Sequence, residues 1–545
     1  MKFHPSQFKC FAAACLFLAP RTLFADHPVS PPSSGEPYTV AGNRIVFATW
    51  RYVRPGSFAW INQSGANVTV AGSEDAFGAN LQKRDHPTGI RIVAQPAQRR
   101  GPIIKPEKPW EAQGVSLGTI LRDGNRFRAW GGCADATGRK YFCYFESDDG
   151  VNWKRPEFDF VEFAGSRKNN LLSFTSGTVF NDPSAPAEER YKWVSLETID
   201  HAAFERFRKE RPDAWRPDAI RKDVGHVYAI RGAVSPDGLR WQLLPDPLVG
   251  EHSDTQVIAY YDERAEKYVM FTRNYSVQPR AMEPGDKEQV VWWGGDAYGI
   301  GRRAIGRTES ADFRKFPLSK VVLEPGPERL PDDVYYTNCK TTIPGTDQPV
   351  LFPAVWHTSN DSTSIELAAS DDGLNWHFLF GNPVLDTASY GEWDGGCLFA
   401  QPNLLELANG DFALPYTGYN FPHKYPRGQW RFATGYAIWP KGRIIALEAT
   451  QRGEFATAII LAPGTKLRLN AETKRGGSIL VEVADAQGAP ISGRSFDNAI
   501  ATVGDQPSAL VKWKANETTG IEKGKPLMLR FRLDQAKLFA LMFED

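Results

Sequence analysis

Three short polar stretches carry the residues that could do chemistry: His252-Ser253-Asp254-Thr255-Gln256, Pro331-Asp332-Asp333-Val334-Tyr335-Tyr336 and Tyr390-Gly391-Glu392-Trp393-Asp394-Gly395-Gly396. Pro109-Trp110-Glu111 stands in a corresponding place nearer the start. Each precedes a run of β-branched and aromatic residues that reads as a strand. Carboxylates at the entrances of separate strands meet only if the strands themselves converge. If they do, Asp254 and Asp394 would act as general base or nucleophile and as charge-positioning acid, with Glu392 or Glu111 as proton donor and Asp333 as a further member. Paired carboxylates of this kind are what acid/base cleavage of a glycosidic bond requires. An acid before a strand can equally be a turn residue bonding its own backbone.

The neighbours of these acids suit a polyol. Trp393, Trp292 and Trp130 offer flat faces to sugar C–H groups, while Arg273, His252, Gln256, Asn338 and His357 can fix hydroxyls, a carboxylate or a sulfate. Tryptophans in β-proteins also fill space between sheets, so only about two are expected in a site. Asn181-Asp182-Pro183 has a catalytic look, but it follows the strand Val179-Phe180 where the third repeat has Asp262-Glu263, and it reads as a turn. No C-x-x-C spacing points to a metal site. No metal or organic cofactor is implied, although an axial channel could hold a structural Ca²⁺.

The elements that must position these residues repeat. Ser147-Asp148-Asp149-Gly150-Val151-Asn152-Trp153, Ser235-Pro236-Asp237-Gly238-Leu239-Arg240-Trp241 and Ser370-Asp371-Asp372-Gly373-Leu374-Asn375-Trp376 are nearly one phrase, and Ser310-Ala311-Asp312-Phe313-Arg314-Lys315-Phe316 is a decayed copy. Each reads as a strand end, a tight Asp-Gly turn and an aromatic that opens the next strand. Upstream of each lie two further strands, with first strands starting near Gly118, Gly177, Gln256, Tyr336 and Cys397. Short strands at a period of roughly 60 to 80 residues indicate radially arranged four-stranded blades. The fold class is therefore all-β, a five-bladed β-propeller followed by a C-terminal β-sandwich.

The domain boundaries follow from texture. Residues 1–25 read as a signal peptide, with Cys10 to Ala19 as the apolar run and cleavage near Ala25. Residues 26–109 form an N-terminal extension and the start of the propeller, 110–447 the propeller, and 448–545 the sandwich. A polar insertion around Phe204-Glu205-Arg206-Phe207-Arg208-Lys209-Glu210 reads as a short helix, and a second insertion runs from Ser276 to Gly295. The chain is expected to be exported, periplasmic or extracellular, with no membrane insertion once the signal is removed. Its 64 Lys and Arg balance its 64 Asp and Glu, leaving no global basic surface for nucleic acid. A carbohydrate is the expected partner. Cys133 and Cys143 flank a hairpin turn and could pair, as could Cys339 and Cys397; four reduced, buried cysteines are the alternative.

The Ser-x-Asp-Gly-x-x-Trp phrases, the acids before first strands and the following sandwich resemble the five-bladed propeller glycoside hydrolases, those related to invertases and levanases (family 32) and to arabinanases and xylosidases (family 43). The resemblance implies a secreted glycoside hydrolase acting on a poly- or oligosaccharide. The invertase-type Trp-Met-Asn-Asp-Pro-Asn, Arg-Asp-Pro and Glu-Cys motifs are not present in that arrangement, so no family residue is carried over. Two alternatives stand: a sialidase-like exo-glycosidase, which needs six blades and an arginine trio, and a non-catalytic propeller that binds glycans or proteins.

Overall fold

The computed structural model describes residues 36–69, 78–221, 225–275, 303–326, 333–334, 340–425 and 429–545. Five antiparallel units follow one another along the chain. Unit one is Thr119–Asp123, Arg126–Ala134, Lys140–Ser147 and Leu171–Leu172, and unit two is Thr178–Asn181, Tyr191–Ile199, His226–Ser235 and Gln242–Leu243. Unit three is Ile258–Asp262, Lys267–Tyr275, Arg303–Ser310 and Lys320–Leu323. In unit four the second strand breaks between Pro349–Leu351 and Ala354–His357, where Pro353 has no N–H to give to the ladder. Unit five is Cys397–Ala400, Phe412–Tyr419 and Phe432–Trp439, and its outer strand, Gln98–Ile104, comes from the N-terminal segment. Gly114–Val115 pairs with both Arg126–Ala134 and Phe432–Trp439 and so ties the last unit to the first.

The repeated turns explain how one unit locks onto the next. In all three intact copies the serine hydroxyl accepts the glycine amide at 2.9 Å. The aspartate carboxylate accepts the next two amides, as in Asp149 with Val151 and Asn152 at 2.8 and 2.7 Å. Burial opposes ionisation of Asp149, Asp237 and Asp372, but these amides outweigh it and hold each carboxyl below its ordinary value. Gly150, Gly238 and Gly373 have φ of 75°, 73° and 70°, which a side chain would strain. The turn carbonyls are then gripped by neighbours: Tyr436 of unit five donates to Gly150 at 2.6 Å, and Trp130 of unit one donates to Gly238 of unit two at 2.6 Å.

Trp130, read from sequence as a sugar platform, is thus an inter-unit plug with no exposed surface. Asp182 is likewise structural. It takes Ser184 at 2.6 Å and Tyr268 of the next unit at 2.7 Å, with the Lys192 ammonium 3.3 Å away. The insertion helix is His201–Glu210, capped by the Asp200 side chain, which accepts the Ala203 amide.

After Trp439 the chain enters a second sheet at Ile445–Ala456. The sheet continues in two long strands, Lys466–Ala484 and Pro526–Glu544, whose ladder is bent without ending by bulges near Thr473 and Ser478. The N-terminal segment is not a free extension: Arg91–Ala94 pairs with the start of this sheet and Arg44–Ile45 with its last strand. One apolar cluster runs continuously through Phe47, Leu367, Leu398, Leu447 and Phe531, so N-terminal, unit-four, unit-five and C-terminal residues share a core.

Candidate active site

A cavity of about 750 Å³ opens where the units meet. Its lining comes from the first three units and from the end of unit five: Ser116, Gly118 and Gly132, then Ser176, Gly177 and Ser195, then Ser253 to Val257, and Tyr419, Trp430 and Phe432. Convergence of first strands is visible in the Gln256 amide. Its Nε2 donates to Gln401 of unit five at 3.1 Å and lies 3.5 Å from the Gly118 carbonyl of unit one. Gln401 in turn donates to Thr417 at 2.8 Å.

Among the described residues of this lining, Asp254 and Lys140 carry the charged side chains. Asp254 Oδ1 is bound by Arg273 and, at 3.3 Å, by Arg303. Burial opposes the charge, yet the two guanidiniums outweigh it and hold the carboxyl far below the usual range. Arg273 is itself fixed, donating to the His252 carbonyl at 2.6 Å. His252 Nδ1 lies 2.8 Å from the same guanidinium, which can only donate, so that nitrogen accepts. The imidazole packs edge-on against Tyr228, with ring centroids 4.8 Å apart. The Arg273 backbone amide donates to Ser253 Oγ at 2.9 Å, and Tyr275, its phenol pushed up to about 12 mainly by burial, lies under the guanidinium. Asp254 is therefore a carboxylate held toward its ionised form by bonds that fall on one oxygen.

The other expected acids lie elsewhere. Asp394 has no exposed surface; Oδ2 takes Arg99 at 2.7 Å and the Tyr416 hydroxyl at 2.7 Å. Trp393 stacks on Tyr416 with ring centroids 5.7 Å apart and packs over Gly418 and Gly435. Glu392 is exposed in a turn, its amide donating to Ser389. Glu111 is fully buried under Arg155, which donates to both its oxygens at 2.8 and 2.9 Å. None of these four lines the cavity, and the three acids among them were each either captured by an arginine from another segment or left in a solvent turn. His357 is half-buried in unit four, 2.9 Å from Ser364 Oγ, and is not in the lining either. The backbone of Asp333 pairs with Trp356, and its side chain lies outside the described part. Trp292, Asn338 and Cys339 fall outside the described residues.

A carboxylate that the sequence reading passed over follows the lining residue Leu196 without itself being in the lining. Glu197 is two residues along its strand from Ser195, hence on the same face of the sheet. Thr175, beside the lining residue Ser176, donates to it at 3.3 Å. Burial raises the Glu197 carboxyl above its ordinary value, against the opposing pull of Ser195, Thr175 and Arg231. A half-buried acid inside a second strand was the available signal.

Cys133 and Cys143 form a disulfide across the first two long strands of unit one, with Cα atoms 6.4 Å apart. They sit one diagonal step apart and not directly opposite, since Gly131 faces Cys143 and Cys133 faces Tyr141. Cys397 is a buried free thiol. Among the described residues no group of three or more His, Cys, Asp or Glu side chains gathers to hold a metal ion.

No family model matches the chain, and no curated protein matches it. Among solved structures, it is similar to an N-acetylgalactosamine deacetylase from F. plautii, crystallised with blood group B trisaccharide, at 13% identity, 65% of this chain, 96% of that chain and a TM-score of 0.38. It is also similar to a thermostable family-43 glycoside hydrolase at 14% identity, 61% of this chain, 92% of that chain and a TM-score of 0.36. An α-L-arabinofuranosidase from Podospora anserina, in complex with cellotriose, is similar at 11% identity, covering 65% of this chain and 98% of that chain, with a TM-score of 0.34. At these TM-scores the likeness decides neither reaction nor substrate, and the site has to carry that argument.

Proposed function

We propose that the five units are the blades of a β-propeller closed by the strand Gln98–Ile104, that a β-sandwich follows, and that the chain is an exported glycoside hydrolase working in the axial cavity. The observation that carries this reading is Asp254 in the cavity wall, held ionised, with Glu197 one residue beyond the lining residue Leu196 and pushed the other way. Two carboxyls separated in this way can divide the acid and base roles of glycoside cleavage. Glu197 gives its proton to the leaving oxygen as the bond from C1 to that oxygen breaks. Asp254, anchored through Oδ1, presents Oδ2 to the positive charge that develops at C1. Water completes the hydrolysis, its hydroxyl bonding to C1 and its proton returning to Glu197. The remaining lining is rich in hydroxyls and amides, the chemistry that reads sugar hydroxyls.

A second reading, a propeller that binds glycans without cutting them, is favoured by one observation: two arginines make Asp254 a weak base. Incubation of the purified protein with plant and algal polysaccharides, with detection of released sugar, separates the two. Release by wild type and its loss in Glu197→Gln supports the hydrolase. Retained glycan binding with no release from any polysaccharide supports the binding module.

A further inference from the structure

Gly131 and Gly132 are adjacent in the second strand of unit one, yet they are glycines for different reasons. A Cβ on Gly131 would stand 1.7 Å from the Ser116 carbonyl oxygen, so close backbone packing demands its absence. A Cβ on Gly132 would meet only Ser116 Oγ at 3.6 Å and Ser176 Oγ at 3.9 Å, both ordinary contacts, and its φ is not in the left-handed region. Packing does not ask for glycine at 132. A strand-interior glycine costs stability and marks a bulge, a bend, or close approach of a ligand or another backbone, and at 132 no other backbone of the described residues comes within 4 Å of the Cβ position.

The surroundings point the same way. Gly132, Ser116 and Ser176 all line the cavity. Ser116 Oγ contacts the Gly132 carbonyl and amide only at 3.4 Å, and Ser176 Oγ reaches the Tyr141 carbonyl only at 3.4 Å, longer than ordinary hydrogen bonds, so both hydroxyls keep capacity for a partner. Thr255 is buried to 7% exposure, lines the same cavity, and its Oγ1 has no hydrogen-bond partner among the described residues. The wall that carries Gly132 is held rigidly. The disulfide follows at Cys133, and Asp135 binds the turn through Thr137, Arg139 and Tyr141.

We propose that Gly132 is the specificity-determining residue of the cavity: its missing side chain leaves a recess between Ser116 and Ser176 that admits one sugar ring and reads its hydroxyls. This rests on the reading of the cavity as a glycan site. The disulfide-clamped hairpin keeps the recess at fixed width, so selectivity is set by what projects from position 132.

The test is saturation-transfer NMR of wild type and the series Gly132→Ala, Gly132→Val and Gly132→Phe with free L-arabinose, D-xylose, D-galactose and L-rhamnose. Affinity for any sugar that wild type binds should fall in the order Ala, Val, Phe, with a loss of about tenfold or more for Phe, the usual scale of steric exclusion from a pocket. Melting temperatures report whether each variant is folded, and Gly132→Ala, whose Cβ meets only ordinary contacts, carries the test if the larger ones are not. Equal binding by folded variants overturns the recess while leaving the glycan site intact. Wild type that binds none of the four, and no sugar released from polysaccharide, overturns the cavity as a glycan site and the recess with it.

Discussion

Asp254 and Asp394 look alike in sequence, each set just before a first strand among glycine, serine and aromatic residues, and the molecule treats them in opposite ways. Both are bound by arginine. Asp394 is also bound on one oxygen, Oδ2, by Arg99 from the N-terminal strand and Tyr416 from its own unit, but its Oδ1 is buried, so its charge only fastens the outer strand of unit five. Asp254 is bound on one oxygen only and keeps 38% of its side chain exposed at a cavity. An arginine partner therefore does not separate a structural acid from a functional one. What separates them is whether the salt bridge leaves one oxygen facing open space.

The largest effect should come from breaking the closed site. Asp394→Ala leaves the Arg99 guanidinium uncompensated and the Tyr416 hydroxyl without its acceptor, and should lower stability by about 3 kcal/mol, read from denaturant midpoints. Turnover per folded molecule should be retained. Asp254→Asn should do the reverse, lowering turnover by about a hundredfold, or about 2.7 kcal/mol of transition-state stabilisation, with a smaller loss of stability because the group is partly exposed. If both variants lose turnover alike, the distinction between them fails.

The pH dependence sharpens the contrast. Glu197 is raised and must be protonated to act, so kcat/KM should fall as pH rises through its value, above the ordinary glutamate range near about 4.3. Asp254 is depressed, so the stability its charge contributes is present above the ordinary aspartate value and is lost only as pH falls through its lower folded value. The acid limb should not be set by Asp254. Glu197→Gln should abolish the basic limb and reduce the rate; a basic limb that survives unchanged assigns the proton to another group. The smallest effect belongs to Glu392→Gln, an exposed turn residue, for which stability should move by less than about 0.5 kcal/mol and turnover not at all.

Much of the fold was legible because its signals are local. The Asp-Gly turns fix strand ends through bonds that span three residues, and the alternation of aromatic and β-branched residues fixes the strands between them. The position of Cys133 and Cys143 about one turn was equally local. What was hidden is long-range. Nothing in Gln98–Ile104 announces that it pairs with residues more than three hundred positions later, and nothing near Glu111 or Asp394 announces Arg155 or Arg99. Those partners decide which acids are sealed. The cavity wall was missed for a different reason, since reading for chemistry looks for acids and aromatics, whereas this wall is glycine and serine. The pair Gly131-Gly132 inside a strong strand was the signal that could have found it.

The central claim is that ligand binds at the axial cavity beside Asp254 and not at the half-buried Trp393. A crystal structure of Asp254→Asn, soaked with a sugar that wild type releases, tests it directly. The account predicts one ring between Gly132 and residue 254, within hydrogen-bond distance of Ser116 or Ser176. A ring stacked on Trp393 beside Arg99, with the cavity empty, would contradict it.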